Sequence, residues 1–334
     1  MRAPAFWWRE PGTEAALLAP VAFVYGLVAA NRMRGRGARV GVPVVCIGNP
    51  TVGGAGKTPA ALTVASILAA SGENPIFLTR GYGGNLAGPV LVDPERHRVA
   101  DVGDEPLLLA RAHPTIVAHD RVAGAQAAQA AGATMIVMDD GFQNPSLTKD
   151  VSVLVVDGRR GTGNARVFPA GPLRAPLKPQ LRRADALLVI DERAGANPVA
   201  AASAVAAVPV FQARLVPSGS VVASLIGKPL LAFAGIAHPE KFFRTLADAG
   251  VAPTITREFP DHHAYTERQA AGLLDEATQN GFYLVTTEKD YVRLGEDGAL
   301  GELRKYVRAL PVTLRFADEG AFRKLLLERI RSRA

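Results

Sequence analysis

The stretch Val45-Cys46-Ile47-Gly48-Asn49-Pro50-Thr51-Val52-Gly53-Gly54-Ala55-Gly56-Lys57-Thr58-Pro59 constrains this chain more than any other. The apolar run from Val42 to Ile47 reads as a buried strand, and a glycine-rich turn leads from it into a helical pattern over 60–70. Strand, glycine turn, Lys-Thr and helix, in that order, form a phosphate-binding loop. Glycines let the backbone wrap a polyphosphate with its N–H groups pointing inward, and the helix adds its positive end. Gly53, Gly54, Ala55 and Gly56 would form the cradle, Lys57 would reach the β- and γ-phosphates, and the Thr58 hydroxyl would ligate Mg²⁺. The match is to Gly-Gly-Ala-Gly-Lys-Thr only, because Thr51 stands where the usual first glycine would be. ATP and Mg²⁺ are therefore the expected ligands.

With 334 residues and 48% hydrophobic content, the chain is long enough for two domains and too apolar to be disordered. We expect a membrane-associated segment over 1–40, a phosphate-loop core with a mostly parallel sheet over 41–220, and a smaller α/β domain over 221–334. A formal net charge of +7 favours an anionic partner. The single cysteine, Cys46, leaves no disulfide framework and no cysteine-based zinc site. A reducing cytoplasm fits both the lone thiol and the need for ATP.

Near the start, Phe6-Trp7-Trp8 precedes an almost uncharged segment, 15–30, which contains Pro20 and is followed by Arg32, Arg34, Arg36 and Arg39. That run is shorter than the ~20 residues of a bilayer span. We expect a helix lying in or dipping into one leaflet, with tryptophans at headgroup level and arginines against an anionic surface. A buried core helix is the alternative. A cleaved signal peptide fits poorly, because the arginines follow the apolar run and a nucleotide loop comes next.

Further along, acids and arginines gather where strands end. The strand 134–138 runs into Asp139-Asp140, and a carboxylate there can hold Mg²⁺ opposite Thr58. A short strand over 75–79 ends in Arg80-Gly81-Tyr82-Gly83-Gly84, placing Arg80 where an open α/β sheet binds anions. Asp104 reads as a helix cap ahead of Glu105-Pro106. Strands are expected at 151–157 and 184–190. Between them lies a loop rich in Gly, Pro and Arg, with Arg174 as its candidate anion ligand. An alanine-rich tract over 194–208 gives way to connecting strands at 210–215 and 221–225. A new unit follows, with a strand near 230–236, a helix over 239–249, the Asp261-His262-His263 loop and the Thr286-Thr287-Glu288-Lys289-Asp290 turn.

Taken together, Gly-Asn-x-x-x-Gly-Gly-x-Gly-Lys-Thr-Pro, Thr-Arg-Gly-Tyr-Gly, Gly-Asp-Glu-Pro, Asp-Asp-Gly-Phe-Gln, Gly-Pro-Leu-Arg, Asp-His and Thr-Glu-Lys-Asp closely resemble the tetraacyldisaccharide 4′-kinase family of lipid A biosynthesis. The resemblance runs from about Phe6 to Asp290. It implies a peripheral or monotopic enzyme on the cytoplasmic face of the inner membrane. Such an enzyme moves the γ-phosphate of ATP onto the 4′-hydroxyl of a lipid disaccharide 1-phosphate, giving lipid IVA. It also implies that Lys57, Asp139 and Asp140 act at the phosphates and metal, with Glu105 close to Mg²⁺. Asp104, with His262, would activate the sugar hydroxyl as general base, which requires closure of the two domains. Arg80 and Arg174 would meet phosphate groups of nucleotide or lipid. A lysine in place of Val52 would have pointed to dimeric partitioning ATPases.

The rival from another class is a phosphate-loop switch or chaperone ATPase at the membrane. It needs Lys57, Thr58 and Asp139 but has no use for Asp104, His262 or the Arg174 loop. A non-catalytic polyanion binder is weaker still, for the chain lacks the aromatic–basic interleaving of single-strand binders. Neither a nucleic acid nor an obligate protein partner is expected.

Overall fold

The computed structural model describes residues 3–191 and 207–333, so most of the alanine-rich tract expected over 194–208 lies outside the described residues. Two sheets organise the chain. The larger has nine strands in the order β13-β8-β7-β6-β1-β5-β2-β4-β3. These are β1 (Val44–Gly48), β2 (Pro75–Thr79), β3 (Val90–Leu91), β4 (Thr115–Val117), β5 (Met135–Asp139), β6 (Val151–Asp157), β7 (Ala186–Ile190), β8 (Val210–Pro217) and β13 (Val312–Phe316). All pairings are parallel except those of the edge strands β3 and β13. The smaller sheet, also parallel, has the order β10-β9-β11-β12, with β9 at Leu230–Ala234, β10 at Ile255–Glu258, β11 at Tyr283–Thr287 and β12 at Arg308–Leu310.

A parallel strand buried on both faces must be apolar throughout, which is why β1, β5 and β6 read as continuous runs. Their side chains alternate between two cores. Val45, Ile47, Val137 and Val153 share one with apolar residues of the helix Lys57–Ala69, whereas Val44, Cys46, Ile136 and Leu154 belong to the other, which includes Ala125 and Ala128 of the helix Arg121–Ala130 together with Met33 and Leu181. Burial pushes the Cys46 thiol up to about 11, so it packs as a small apolar group.

The expected smaller unit, 221–334, is divided between the sheets. Residues 221–225 form a helix, Gly219–Leu225, and not the connecting strand expected. Strand β13 then returns to β8, and Phe322, Leu326 and Ile330 of the closing helix, Glu319–Arg333, pack into the first sheet's core. Those three residues recur every fourth position, so one helical stripe buries all of them.

Residues Thr13–Met33 form one 21-residue helix that runs through Pro20. It is longer than the apolar run suggested, and by length and composition it could cross a bilayer. The buried-core alternative does not hold. Ala15, Ala22, Gly26 and Met33 lie against the body, while Leu17, Val21, Phe23, Val24, Leu27 and Val28 are exposed. The tryptophans depart from the expectation too. Trp7 is buried with its Nε1 donating to Pro169 O at 3.0 Å, and Trp8 lies edge-on to His238 with the Arg160 guanidinium over its ring. A buried ring with its N–H already satisfied is unavailable to headgroups.

Candidate active site

The phosphate-binding loop takes the position expected, between the end of β1 and the helix Lys57–Ala69. Gly56 sits at φ +92, where a side chain would strain the backbone, and a Cβ there would meet Ile190 Cδ1 at 2.8 Å. The buried Asn49 amide ties the loop to itself, donating to Thr51 O at 2.6 Å and Gly53 O at 3.1 Å. Lys57 and Thr58, at the first two helical positions, are buried beneath it.

Parallel register sets the next group. Ile47 pairs with Asp139, so the last residue of β5 ends level with the start of the loop. Asp139 is almost wholly buried, and neither carboxylate oxygen has a hydrogen-bond partner. Burial and the nearby Glu105 charge push its carboxyl up to about 7. Two unpaired oxygens so deep in a protein are costly unless a cation completes them. They therefore fit Mg²⁺, which takes few protein ligands and completes its shell with phosphates and water. Among the described residues, no three His, Cys, Asp or Glu side chains are disposed to hold a metal without such help.

Asp140 turns the other way, with φ +57. It accepts two hydrogen bonds from Arg174, at 2.7 and 3.2 Å, and lies 3.7 Å from Lys57 Nζ. Burial alone would raise its carboxyl, but Lys57 and Arg174 outweigh that and hold it at about 2. Arg174 Nε also donates to Thr51 O at 3.0 Å, and its own N–H bonds Pro50 O at 2.8 Å. Arg174 thus clamps the loop to Asp140. Arg80 is exposed just beyond β2, and Tyr82 beyond it lies against His262 with ring centroids 5.3 Å apart.

Asp104 is the first residue of the helix Asp104–Ala110, one position inside the cap expected of it, since Gly103 precedes the helix. Only 3% of it is exposed. Its Oδ1 accepts the Glu105 N–H at 2.9 Å, and its Oδ2 faces His262 Nδ1 at 3.2 Å. The histidine comes from the loop after β10, at φ +55, so the two units already meet at this pair. His263 points elsewhere, bonding Gln269 and stacking on Phe259. The hydrogen bond to Asp104 raises the His262 imidazole. Burial would raise the Asp104 carboxyl, yet the His262 bond and the Arg293 and Lys289 charges hold it well below the carboxylate range.

Those last two cations were not singled out from the sequence. The helix Glu288–Arg293 follows β11, and its N-terminal turn is capped by Thr287, whose Oγ1 accepts from the Asp290 N–H at 3.1 Å. Arg293 donates to Asp104 Oδ2 from Nε at 2.8 Å, to Asp290 at 2.9 Å, and to Gly235 O. Fully buried Asp290 also accepts from the Gly235 N–H and the Tyr265 hydroxyl, each at 2.9 Å. Lys289 pairs with Glu105, which was expected near Mg²⁺ and whose carboxyl that lysine holds low. Lys289 stands two residues beyond the end of β11, so the rule that flagged Asp139, an acid closing a buried strand, does not reach it.

On the far side of the loop the units are joined again. Lys241 Nζ lies 3.2 Å from both Asp157 and Asp191, and Arg160 pairs with Glu240. The arrangement thus combines a polyphosphate cradle, an unsatisfied carboxylate for a cation and a buried, cation-flanked carboxylate within reach of the same centre. That is equipment for phosphoryl transfer to a hydroxyl.

A family model described as tetraacyldisaccharide-1-P 4′-kinase matches residues 14–331. Among curated relatives, the tetraacyldisaccharide 4′-kinase of Bradyrhizobium sp. (strain ORS 278) is 54% identical over 331 residues, 99% of this chain and 98% of that protein. Its counterpart in Methylobacterium sp. (strain 4-46) is 53% identical over 337 residues, covering 100% of this chain and 99% of that one. A crystal structure of LpxK from Aquifex aeolicus in complex with ATP shares the fold, with a TM-score of 0.72 and 24% identity over 95% of this chain and 99% of that one.

Proposed function

This chain belongs to the tetraacyldisaccharide-1-P 4′-kinase family, and from that premise we propose that it phosphorylates the 4′-hydroxyl of a lipid disaccharide 1-phosphate with ATP, forming lipid IVA. The observation that carries the reading is the Asp104–His262 contact at 3.2 Å, a carboxylate–imidazole pair built across two units beside the phosphate-binding loop. A nucleotide hydrolase acting on water alone has no need of it.

Lys57 and the loop N–H groups of 53–56 bind and orient the ATP phosphates. Thr58 and Asp139 would hold Mg²⁺, whose chemistry there would be to neutralise developing phosphate charge. Asp104 takes the proton of the 4′-hydroxyl as the sugar O–P bond forms and the bond from the γ-phosphorus to the β-phosphate bridging oxygen breaks, releasing ADP. His262 orients the carboxylate and, protonated, stabilises its charge. Asp140, through Arg174, keeps the loop in shape.

The exposed apolar face of the helix Thr13–Met33, followed by exposed Arg32, Arg34, Arg36 and Arg39, supports a chain seated at the anionic cytoplasmic surface where such a lipid resides. The test uses purified protein in detergent micelles with γ-labelled ATP, Mg²⁺ and the lipid disaccharide 1-phosphate. Label in the lipid, lost in Lys57→Ala, supports the kinase. Hydrolysis at one rate with or without lipid, and no label transferred, supports the switch ATPase.

A further inference from the structure

The cations around this centre are not held alike. Arg293, with 3% of its side chain exposed, is enclosed by Asp104, Asp290 and Gly235 O. Arg174 is spread over Asp140 and Thr51 O. Lys289 differs from both. Among the described residues its one hydrogen-bond partner is Glu105, and 27% of its side chain is exposed. Its backbone, by contrast, is fixed. It stands between capping Thr287 and fully buried Asp290, whose carboxylate is bound by Thr287, Tyr265, Gly235 and Arg293. A short rigid mount thus carries a flexible stem with a compact charge at its tip.

The placement of that charge matters most. It acts electrostatically on Glu105, Asp104 and Asp139 together. If the kinase reading holds, the transferred phosphoryl group passes between Asp104, which takes the acceptor's proton, and Asp139, which faces the metal. Hydrogen-bonded to Glu105, the neighbour of Asp104 in the chain, the lysine therefore lies beside that path, and it is supplied by the second unit. Arrival of ATP with one Mg²⁺ adds net negative charge to a centre whose carboxylates and cations are otherwise nearly matched. The cation free to turn toward it is the one with a single, exchangeable carboxylate partner.

We propose that Lys289 is a further catalytic residue, a cation delivered by the second unit that leaves Glu105 for the γ-phosphate oxygens when nucleotide binds. It links the presence of a third phosphate to engagement of the unit that carries His262. Glu105, once released, is available to the metal.

The inference rests on the proposed kinase activity, and the experiment separates the two. Full-length wild type, Lys289→Met and Lys289→Arg, in detergent micelles with Mg²⁺, are titrated with ADP and with an ATP analogue whose β,γ-bridge is a methylene. Phosphate transfer to lipid is measured in parallel. Lys289→Met is expected to weaken the triphosphate analogue by about tenfold or more, to leave ADP within about twofold, and to lower kcat by roughly 10²–10³. Lys289→Arg should recover most of the triphosphate preference. Equal weakening of both nucleotides, or melting lowered with nucleotide binding unchanged, would show a pin for Glu105 only and overturn the proposal. Wild type that prefers the triphosphate through Lys289 yet labels no lipid would overturn the kinase and leave the phosphate contact standing.

Discussion

Replacing Asp139 by Asn should stabilise the nucleotide-free protein while removing its activity. In the folded chain its carboxyl is pushed up from about 3.8, the ordinary value for an aspartate, to about 7 by burial and by Glu105. The sign follows from proton counting. Between those two values the native state binds a proton that the unfolded state has released, so stability falls as pH rises. At about 1.4 kcal/mol per unit the full penalty above pH 7 is on the order of 4 kcal/mol. An Asn recovers only part, because its amide must also be satisfied; Glu105 is the acceptor at hand. A net gain of roughly 2 kcal/mol, or about 3 °C in Tm, is the expected result at pH 8, shrinking toward zero near pH 4. The assay is thermal unfolding of wild type and Asp139→Asn in micelles across that range, with and without Mg²⁺ and ATP. Wild type should gain stability from Mg²⁺ and ATP together, and the variant should gain far less. A variant less stable at pH 8, or a gain that does not vary with pH, would refute the claim that an uncompensated buried charge is kept here for a metal.

Asp104→Asn should depress kcat by about 10²–10⁴ with ATP affinity little changed; equal loss of ATP binding would refute the base assignment. The same substitution should lower the His262 imidazole pKa, followed by NMR titration, since Asp104 is what raises it. With wild type, the share of stability contributed by the raised His262 imidazole should be full below its ordinary value and fade as pH rises through the raised one, while the share contributed by the lowered Asp104 carboxyl should be full above the ordinary carboxylate range and fade in acid. Arg174→Met removes two hydrogen bonds to Asp140 and one to Thr51 O, so the loop should loosen and KM for ATP rise by about tenfold. An unchanged KM would limit Arg174 to the lipid side. Changing Leu17, Phe23 and Leu27 to Ser together should reduce co-sedimentation with anionic vesicles severalfold without altering ATP binding, because these side chains already face outward. Undiminished sedimentation would count against the helix as the membrane contact.

Much of the centre was legible because local sequence dictates local geometry. Glycines followed by Lys-Thr after an apolar run allow little besides a phosphate-binding loop, and an acid closing a buried strand must find a cation or a bond. Lys57, Thr58 and Asp139 were readable on those grounds, and His262 was favoured over His263 by its place beside Asp261. Arg174 was found, but its partner was not. That depends on how a loop 120 residues downstream folds back to pair Thr51 with Leu173, and no local pattern encodes such a pairing. Asp104 looked like a cap because an acid before Glu-Pro reads that way; its carboxylate is instead consumed by His262 and Arg293, more than 150 residues away.

The sequence by itself therefore determined the class of fold, the glycine-rich loop, the acid that closes β5 and the apolar character of the first helix, since each follows from side-chain chemistry within one element. Tertiary structure alone decided the rest. It turned the small-residue stripe of that helix inward and buried Trp7. It sent β13 and the last helix back to the first sheet, and it surrounded Asp104 and Glu105 with Arg293 and Lys289. The physical reason is that ion pairs and sheet edges are satisfied by whichever partner packing delivers. A chain read in order shows the groups that need a partner, and only the folded arrangement selects which one each receives.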